Sequence, residues 1–374
     1  MAVALAQMES PALGATGHLG RIPVRNLWLL MLYASELFRT HSIGKVGLED
    51  NPDDLPDLVA EILARAVELR QRRHLSFGYR SRDAVLNRVR GRINVLTTER
   101  HQLLARGLIA CRFEELTIDT PRNRFVRAAL EMITRVVHRK DVAHRCRSLA
   151  SGMKAMGVSG NAPTRTEMSA DRFGRHDADD RFMVAAAKLA FDLALPNEAA
   201  GANVLALPDR ELTWVRRLFE RAVGGFYDVV LSPKGWRVRC GSTLDWKIEQ
   251  KTAGIDKILP TMRTDIVLDH PPSGQRIVID TKFASIVTSG WYREETLRSG
   301  YVYQIYAYLR SQVGRGDSLA DHASGLLLHP SVGEAVDETV VIQGHSIRFA
   351  TVDLTTSAAE IRSRLLRLRE PTLQ

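Results

Sequence analysis

Residues 263–283 read RTDIVLDHPPSGQRIVIDTKF. Two short runs rich in β-branched residues flank His270-Pro271-Pro272-Ser273-Gly274, where the prolines and the glycine interrupt any continuing ladder. Folding the segment at Pro272/Ser273 gives a hairpin that pairs position 265 with position 280. In that register Asp265 lies opposite Asp280. Lys282, two residues further on, shares their face because side chains alternate along a strand. Ile266, Leu268, Ile277 and Ile279 fall on the other face and are expected to bury against a core. A bulge would shift this register by one residue.

Two facing carboxylates repel unless a cation lies between them, and Mg²⁺ takes oxygen ligands with waters completing its shell. The expectation is a Mg²⁺ site in which the metal activates a water and neutralises a scissile phosphate. Lys282 would stabilise the developing phosphorane or orient the attacking water. An Asp-x-Lys tripeptide alone reads as an ordinary solvated Asp–Lys pair at a strand end. The joint pattern favours chemistry: an upstream Asp265, a short hairpin, Asp280-Thr281-Lys282 at the strand end, a helix ahead, and a helix behind carrying Gln304 and Tyr308.

Outward from the hairpin, ELTWVRRLFERAVGGFYDVVL (211–231) repeats Leu212, Val215, Phe219, Val223 and Phe226 at helical spacing. GWRVRCGSTLDWKIEQK (235–251) reads as strand, VYQIYAYLRSQV (302–313) as helix, and 357–370 as a basic amphipathic helix burying Ile361, Leu365 and Leu368. Together they predict a mixed sheet flanked by helices. Toward the amino terminus, PVRNLWLLMLYASELF (23–38) is apolar enough for a helix buried on most of its surface and is expected to anchor a first domain. Residues 55–73 predict a surface helix with a stripe of Leu58, Ile62, Ala66 and Leu69. Residues 75–113 read as strands and turns. Thr120-Pro121 offers an N-cap and first-turn proline for a helix running through Val136.

The expected organisation is α+β in two domains: a flexible tail over 1–20, a mixed helix/strand domain over 21–205 with a loop or linker at 151–180, and a second domain over 206–374.

Composition is that of an ordinary globular protein, 45% hydrophobic and 25% charged. Lys and Arg outnumber Asp and Glu 52 to 43, a net charge of +9 that points to polyanionic partners. Cys111, Cys146 and Cys240 are too few and too scattered for a disulfide framework or a cysteine zinc site, and a cytoplasmic setting is expected. No signal peptide is read in the first 20 residues, and the run Leu27–Tyr33 is too short to cross a bilayer, so no membrane role is expected. The eleven histidines form no H-E-x-x-H motif, and neither a nucleophile elbow nor a G-x-x-x-x-G-K-[ST] phosphate loop occurs. Any nucleotide hydrolysis must therefore come from a partner.

The carboxy-terminal pattern resembles the PD-(D/E)xK nucleases, Asp265 matching the first acidic residue and Asp280-Thr281-Lys282 the tripeptide. RNLWLLMLYA (25–34), RVRGRINV (88–95) and FEELTIDTPRNRFVRAAL (113–130) resemble McrC, the nuclease component of modified-cytosine restriction systems, so the similarity covers most of the chain. The resemblance implies a restriction-endonuclease-like second domain that cuts double-stranded DNA, with metal held by Asp265, Asp280, Thr281 and Glu220. It also implies a first domain that engages and stimulates an McrB-like AAA+ GTPase hexamer. Glu220 equally suits an ion pair with Arg216 or Arg217, one helical turn away. Gln304 and Tyr308 resemble the Q-x-x-x-Y element of RecB-like nucleases, in DNA contact or site support. Beside Tyr301, Tyr303 and Tyr306 they also suit an aromatic packing surface. Between Arg70 and Arg92 stand eight Arg, no Lys and one acid, Asp83. Arg88, Arg90 and Arg92 are candidates for contact with the motor or with DNA phosphates, and a solvated face is the plainer alternative. Two rival functions remain: a stand-alone repair or defence nuclease, and a non-catalytic subunit that stimulates the GTPase and bridges it to DNA.

Overall fold

The computed structural model describes residues 18–19, 21–40, 54–175, 177–200, 209–283, 286–289, 295–331 and 335–370. Most of the expected tail, and the boundary expected near 205, lie outside them. The chain divides into two compact units, one of residues 1–55 with 192–374 and one of 56–191. A first domain over 21–205 is thus corrected. Helix α1 (Val24–Ala34), expected to anchor that domain, belongs to the unit that holds the hairpin.

The unit of residues 56–191 opens with α2 (Leu55–Arg72). Its buried residues include Val59, Ala60, Leu63, Ala64, Ala66 and Val67; of the expected stripe Ala66 is buried, Leu58 and Ile62 are half-buried and Leu69 is 59% exposed. An antiparallel sheet follows, in which β1 (Gly78–Leu86) and β2 (Arg92–Ile93) both pair with β3 (Ile109–Thr117). Gly91 makes the turn into β2 at φ +68°, where a Cβ would sit 2.5 Å from the Arg112 carbonyl. Helix α3 (Pro121–Ile133) starts as expected, Thr120 Oγ1 accepting the Asn123 amide.

The stretch 151–180 is not a linker. It holds the end of α4 (Lys140–Ala155), a short helix α5 (Arg165–Ala170) and the start of α6 (Ala178–Ala200). A capping box at Thr164 and Glu167 starts α5. The buried Arg122 guanidinium then gathers the surrounding chain, donating to both oxygens of Asp171 (2.9 and 2.8 Å), to Asp177 (3.2 Å), to Asp180 (3.0 Å) and to the Arg172 carbonyl (3.0 Å).

In the other unit, α7 (Asp209–Leu231) buries Val215, Phe219, Val223 and Phe226, as its spacing predicts. Beyond it β4 (Arg237–Cys240), β5 (Ile266–His270) and β6 (Gln275–Thr281) form one side of a six-stranded mixed sheet. Helix α8 (Ser299–Arg310) crosses to β7 (Ser324–Ser331), and β7 pairs in parallel with β6 on one side and with β9 (His345–Asp353) on the other. At the edge β8 (Asp337–Ile342) pairs antiparallel with β9, and α9 (Ala358–Arg367) buries Ile361 and Leu365 with Leu368 just beyond it.

Helix α1 is bound into this unit from several sides. Asn26 donates to the Leu354 and Thr356 carbonyls (2.7 and 2.9 Å), and Trp28 Nε1 to the Leu193 carbonyl (3.0 Å). A Cβ on Gly225 of α7 would lie 2.0 Å from the Tyr33 carbonyl oxygen, so only glycine permits this approach. Gly225→Ala should force the helices apart at a cost of about 1–3 kcal/mol, read as a lower thermal midpoint. A midpoint equal to the parent protein's would contradict the close packing.

Candidate active site

Hairpin β5–β6 keeps the register expected from its turn: Gln275 pairs with His270 and Ile279 with Ile266. The next step of that register sets Asp265 against Asp280. A 3₁₀ turn over Pro271–Ser273 and Gly274 at φ +64° close the hairpin. Ile266, Leu268, Ile277 and Ile279 are buried as expected, and the other face is buried too. Val267 and Val278, on the same face as the two aspartates, are as buried as Ile266, Leu268, Ile277 and Ile279, because helices cover both sides of strands inside a mixed sheet. The carboxylates stand at the strand ends, where the apolar cover stops.

Asp265 is held by its neighbour across the hairpin, the Thr281 amide and hydroxyl both donating to its Oδ2 at 2.7 Å. Thr281 therefore orients Asp265 through the two groups it donates. Asp280 is 1% exposed. Lys282 Nζ lies 2.8 Å from Asp280 Oδ2 as an ion pair, off the line that a hydrogen bond needs, so this buried oxygen has no directed donor. The Lys282 amide continues the β6–β7 ladder to the Leu328 carbonyl (2.9 Å), and its Nζ stands 5.3 Å from the Tyr301 ring centroid. Arg298 Cζ stands 6.0 Å from the same ring.

Burial pushes the Asp280 carboxyl up from 3.8 to about 6. Lys282 opposes the shift and the Asp265 charge adds to it. Glu220 on α7 is half-buried, and its carboxyl is raised first by burial and then by Asp265. It faces the aspartates, with Arg216 acting on it through charge and not through a hydrogen bond. Tyr308 donates to the Arg263 carbonyl (2.7 Å), two residues before Asp265, and Gln304 Nε2 donates to the Tyr308 hydroxyl (2.6 Å). Burial raises the Tyr308 hydroxyl pKa, with Asp280 and Asp265 adding to the rise. Gln304 and Tyr308 thus brace the approach to Asp265.

Among the described residues no three His, Cys, Asp or Glu stand close enough together to hold a metal between them. Glu220 is therefore near the pair but outside ligand geometry. Mg²⁺ is commonly held by one or two carboxylates, with water and phosphate oxygens supplying the rest. Two repelling aspartates and an undonated buried Asp280 oxygen fit that cation.

The raised Asp280 pKa has a consequence for stability. Between about pH 4 and about 6 the folded chain keeps a proton that the unfolded chain has lost, so this group's contribution falls as pH rises through that window. Above the window the full penalty of the buried charge stands, a penalty that a bound divalent cation would offset. MgCl₂ should raise the thermal midpoint more near pH 7.5, above the window of about pH 4–6, than near pH 4.5, inside it. Equal midpoints with and without Mg²⁺ at both pH values would argue against a cation at Asp280.

Arg88, Arg90 and Arg92 belong to the unit of residues 56–191 and are exposed on and before β2, with the Arg90 guanidinium 4.0 Å over the Phe113 ring. The sequence reading did not assign Arg298 or the Tyr301 ring to the site. Tyr301 stands one helical turn before Gln304, and that spacing was the available signal.

Residues 9–328, spanning every candidate position above, match the family described as McrBC 5-methylcytosine restriction system component. The chain belongs to this McrBC family. The membership expected from its amino-terminal motifs is borne out. The chain is 25% identical over 337 residues to the type IV methyl-directed restriction enzyme EcoKMcrBC of Escherichia coli K12, covering 89% of this chain and 93% of that protein. Among solved structures it is similar to a half-complex from a tetradecameric assembly of Thermococcus gammatolerans McrB AAA+ hexamers with bound McrC. The TM-score is 0.42 at 14% identity, over 92% of this chain and 76% of that one. A second likeness, to the Thermococcus gammatolerans McrBC complex, has a TM-score of 0.31 at 15% identity over 50% and 61% of the two chains. Among the described residues of this McrBC-family chain no helix is long and apolar enough to cross a membrane.

Proposed function

We propose that this McrBC-family chain is the DNA-cleaving subunit of a cytoplasmic, modification-dependent restriction system, with a PD-(D/E)xK-type Mg²⁺ site in the unit that holds the β5–β6 hairpin. The observation that carries the reading is the placement of Asp265 against Asp280, with Lys282 paired to Asp280 at the hairpin's open end. Asp265 and Asp280 would hold Mg²⁺, which when bound supplies an activated water and neutralises phosphate charge. Thr281 fixes the Asp265 carboxylate, and the Gln304–Tyr308 bridge fixes the chain entering it. Lys282, carried on a strand end, brings a desolvated ammonium to the developing charge of the transition state.

The unit of residues 56–191 is proposed to engage an McrB-like AAA+ GTPase hexamer and stimulate it. Its sheet region exposes large apolar side chains among its arginines, including Tyr79 (78%), Leu96 (82%) and Leu116 (56%). Phosphate contact needs only the charges, whereas exposed apolar surface of this extent favours a protein partner. Arg82 and Arg112 are already paired with Glu115 and Asp83.

The test is cleavage of methylated and unmethylated plasmid in Mg²⁺ by the purified chain, with and without the partner GTPase and GTP. Cutting that needs partner, GTP and methylation supports the reading. Cutting without partner would replace it by a stand-alone nuclease, and GTPase stimulation without any cutting by a non-catalytic activator.

A further inference from the structure

We propose that Tyr301 is a positioning residue for the nuclease site, its ring serving as an uncharged seat for the Lys282 ammonium. This rests on the nuclease reading above. Lys282 ends a flexible four-carbon stem, 8% exposed, and its ion-pair partner in this structure is Asp280. That pairing conflicts with the proposed chemistry, because Asp280 must give its oxygens to the metal. Once a cation neutralises Asp280, the carboxylate holds the ammonium less strongly and like charge repels it. A second anchor is then needed, and the Tyr301 face lies 5.3 Å from Nζ, inside the range at which a ring quadrupole attracts a cation.

An aromatic face suits this task better than a second carboxylate. It attracts the ammonium without cancelling its charge, and it leaves the N–H donors available for phosphate oxygens. The seat and the lysine share one support: Tyr301 packs against the buried His329 ring of β7 at 6.0 Å, and the Lys282 amide donates to Leu328, the preceding residue of that strand. Arg298, exposed at 6.0 Å from the same ring, adds a second cation that brings positive charge to the same edge of the site without competing for Asp280.

The experiment compares Tyr301→Leu, Tyr301→Phe, Tyr301→Trp and Lys282→Ala in the full chain with partner GTPase, GTP and Mg²⁺. The readouts are kcat and KM for DNA, GTPase stimulation and thermal midpoint. Tyr301→Leu should lower kcat about tenfold, as loss of a desolvated cation–ring contact implies, with KM and GTPase stimulation little changed. Tyr301→Phe keeps the face and should cleave like the parent chain, and Tyr301→Trp should recover most of the rate. Should Tyr301→Leu melt early, the Phe and Trp variants still decide: loss of rate in both with normal midpoints would overturn the proposal. Tyr301→Leu cleaving at the parent rate would overturn it too, while an inactive Lys282→Ala beside it leaves the nuclease reading standing. Parent-like cleavage by Lys282→Ala would overturn both.

Discussion

Asp280→Ala should lower DNA cleavage by about 10³-fold or more while the partner's GTPase is stimulated as before. The size of the effect follows from where the side chain sits. Asp280 is 1% exposed at the end of a central strand, its Oδ2 has no directed donor, and burial already raises its pKa to about 6. Apart from the Lys282 ion pair, little in the fold offsets that burial, which suits a carboxylate that binds a cation. Asp280→Asn preserves volume, removes the charge and should fail almost as completely, which separates ligand loss from cavity formation. Asp265→Ala and Lys282→Ala should abolish cutting as well. The three side chains lie in the other unit from the arginine-rich strands, so GTPase stimulation serves as the control for a folded chain. The measurement is single-turnover cleavage of methylated DNA at fixed partner and GTP. Persistent cutting by all three variants would end the assignment of this site.

Much of the site was legible in 21 residues, because a hairpin is a local object. The Pro-Pro-Ser-Gly turn fixed where the strands fold, and alternation then placed Asp265, Asp280 and Lys282 on one face. Burial of both faces was not legible from alternation, since it depends on helices contributed from elsewhere in the chain. The assignment of α1 failed for a related reason. Its side chains read as apolar all round, and ten of its eleven residues are buried, but periodicity does not say which element does the burying. The clue was Gly224-Gly225, a pair that lowers helix propensity and is tolerated in α7 because a Cβ on Gly225 would strike Tyr33. Glu220 shows the opposite limit: helical spacing offered it to Arg216 or Arg217, and the family resemblance offered it to a metal. The fold places it near Asp265 in charge terms without drawing it into a ligand cluster.

Arg122→Ala should be the most disruptive single change in the unit of residues 56–191, destabilising it by about 3–5 kcal/mol. Composition marked 151–180 as a loop because it lacks apolar periodicity, but this segment is ordered by charge. Arg122, with a side chain only 10% exposed, pairs with Asp171, Asp177 and Asp180, and its guanidinium lies 4.6 Å over the Phe173 ring. Removing it leaves Asp180, whose side chain is fully buried, with Arg70 at 2.6 Å as its remaining ion-pair partner. It also removes the donor that ties the stretch between α5 and α6 to the start of α3. Arg122→Lys keeps one positive charge but cannot bind Asp171 through two parallel N–H groups while reaching the other acids, so it should recover only part of the loss. Urea unfolding and limited proteolysis give the readouts, with early cleavage expected between residues 170 and 180 in the alanine variant. Because Asp265 and Asp280 belong to the other unit, the Mg²⁺-dependent stabilisation expected of that unit should survive while GTPase stimulation is lost. Wild-type stability in Arg122→Ala would show that the segment is ordered by something other than this arginine.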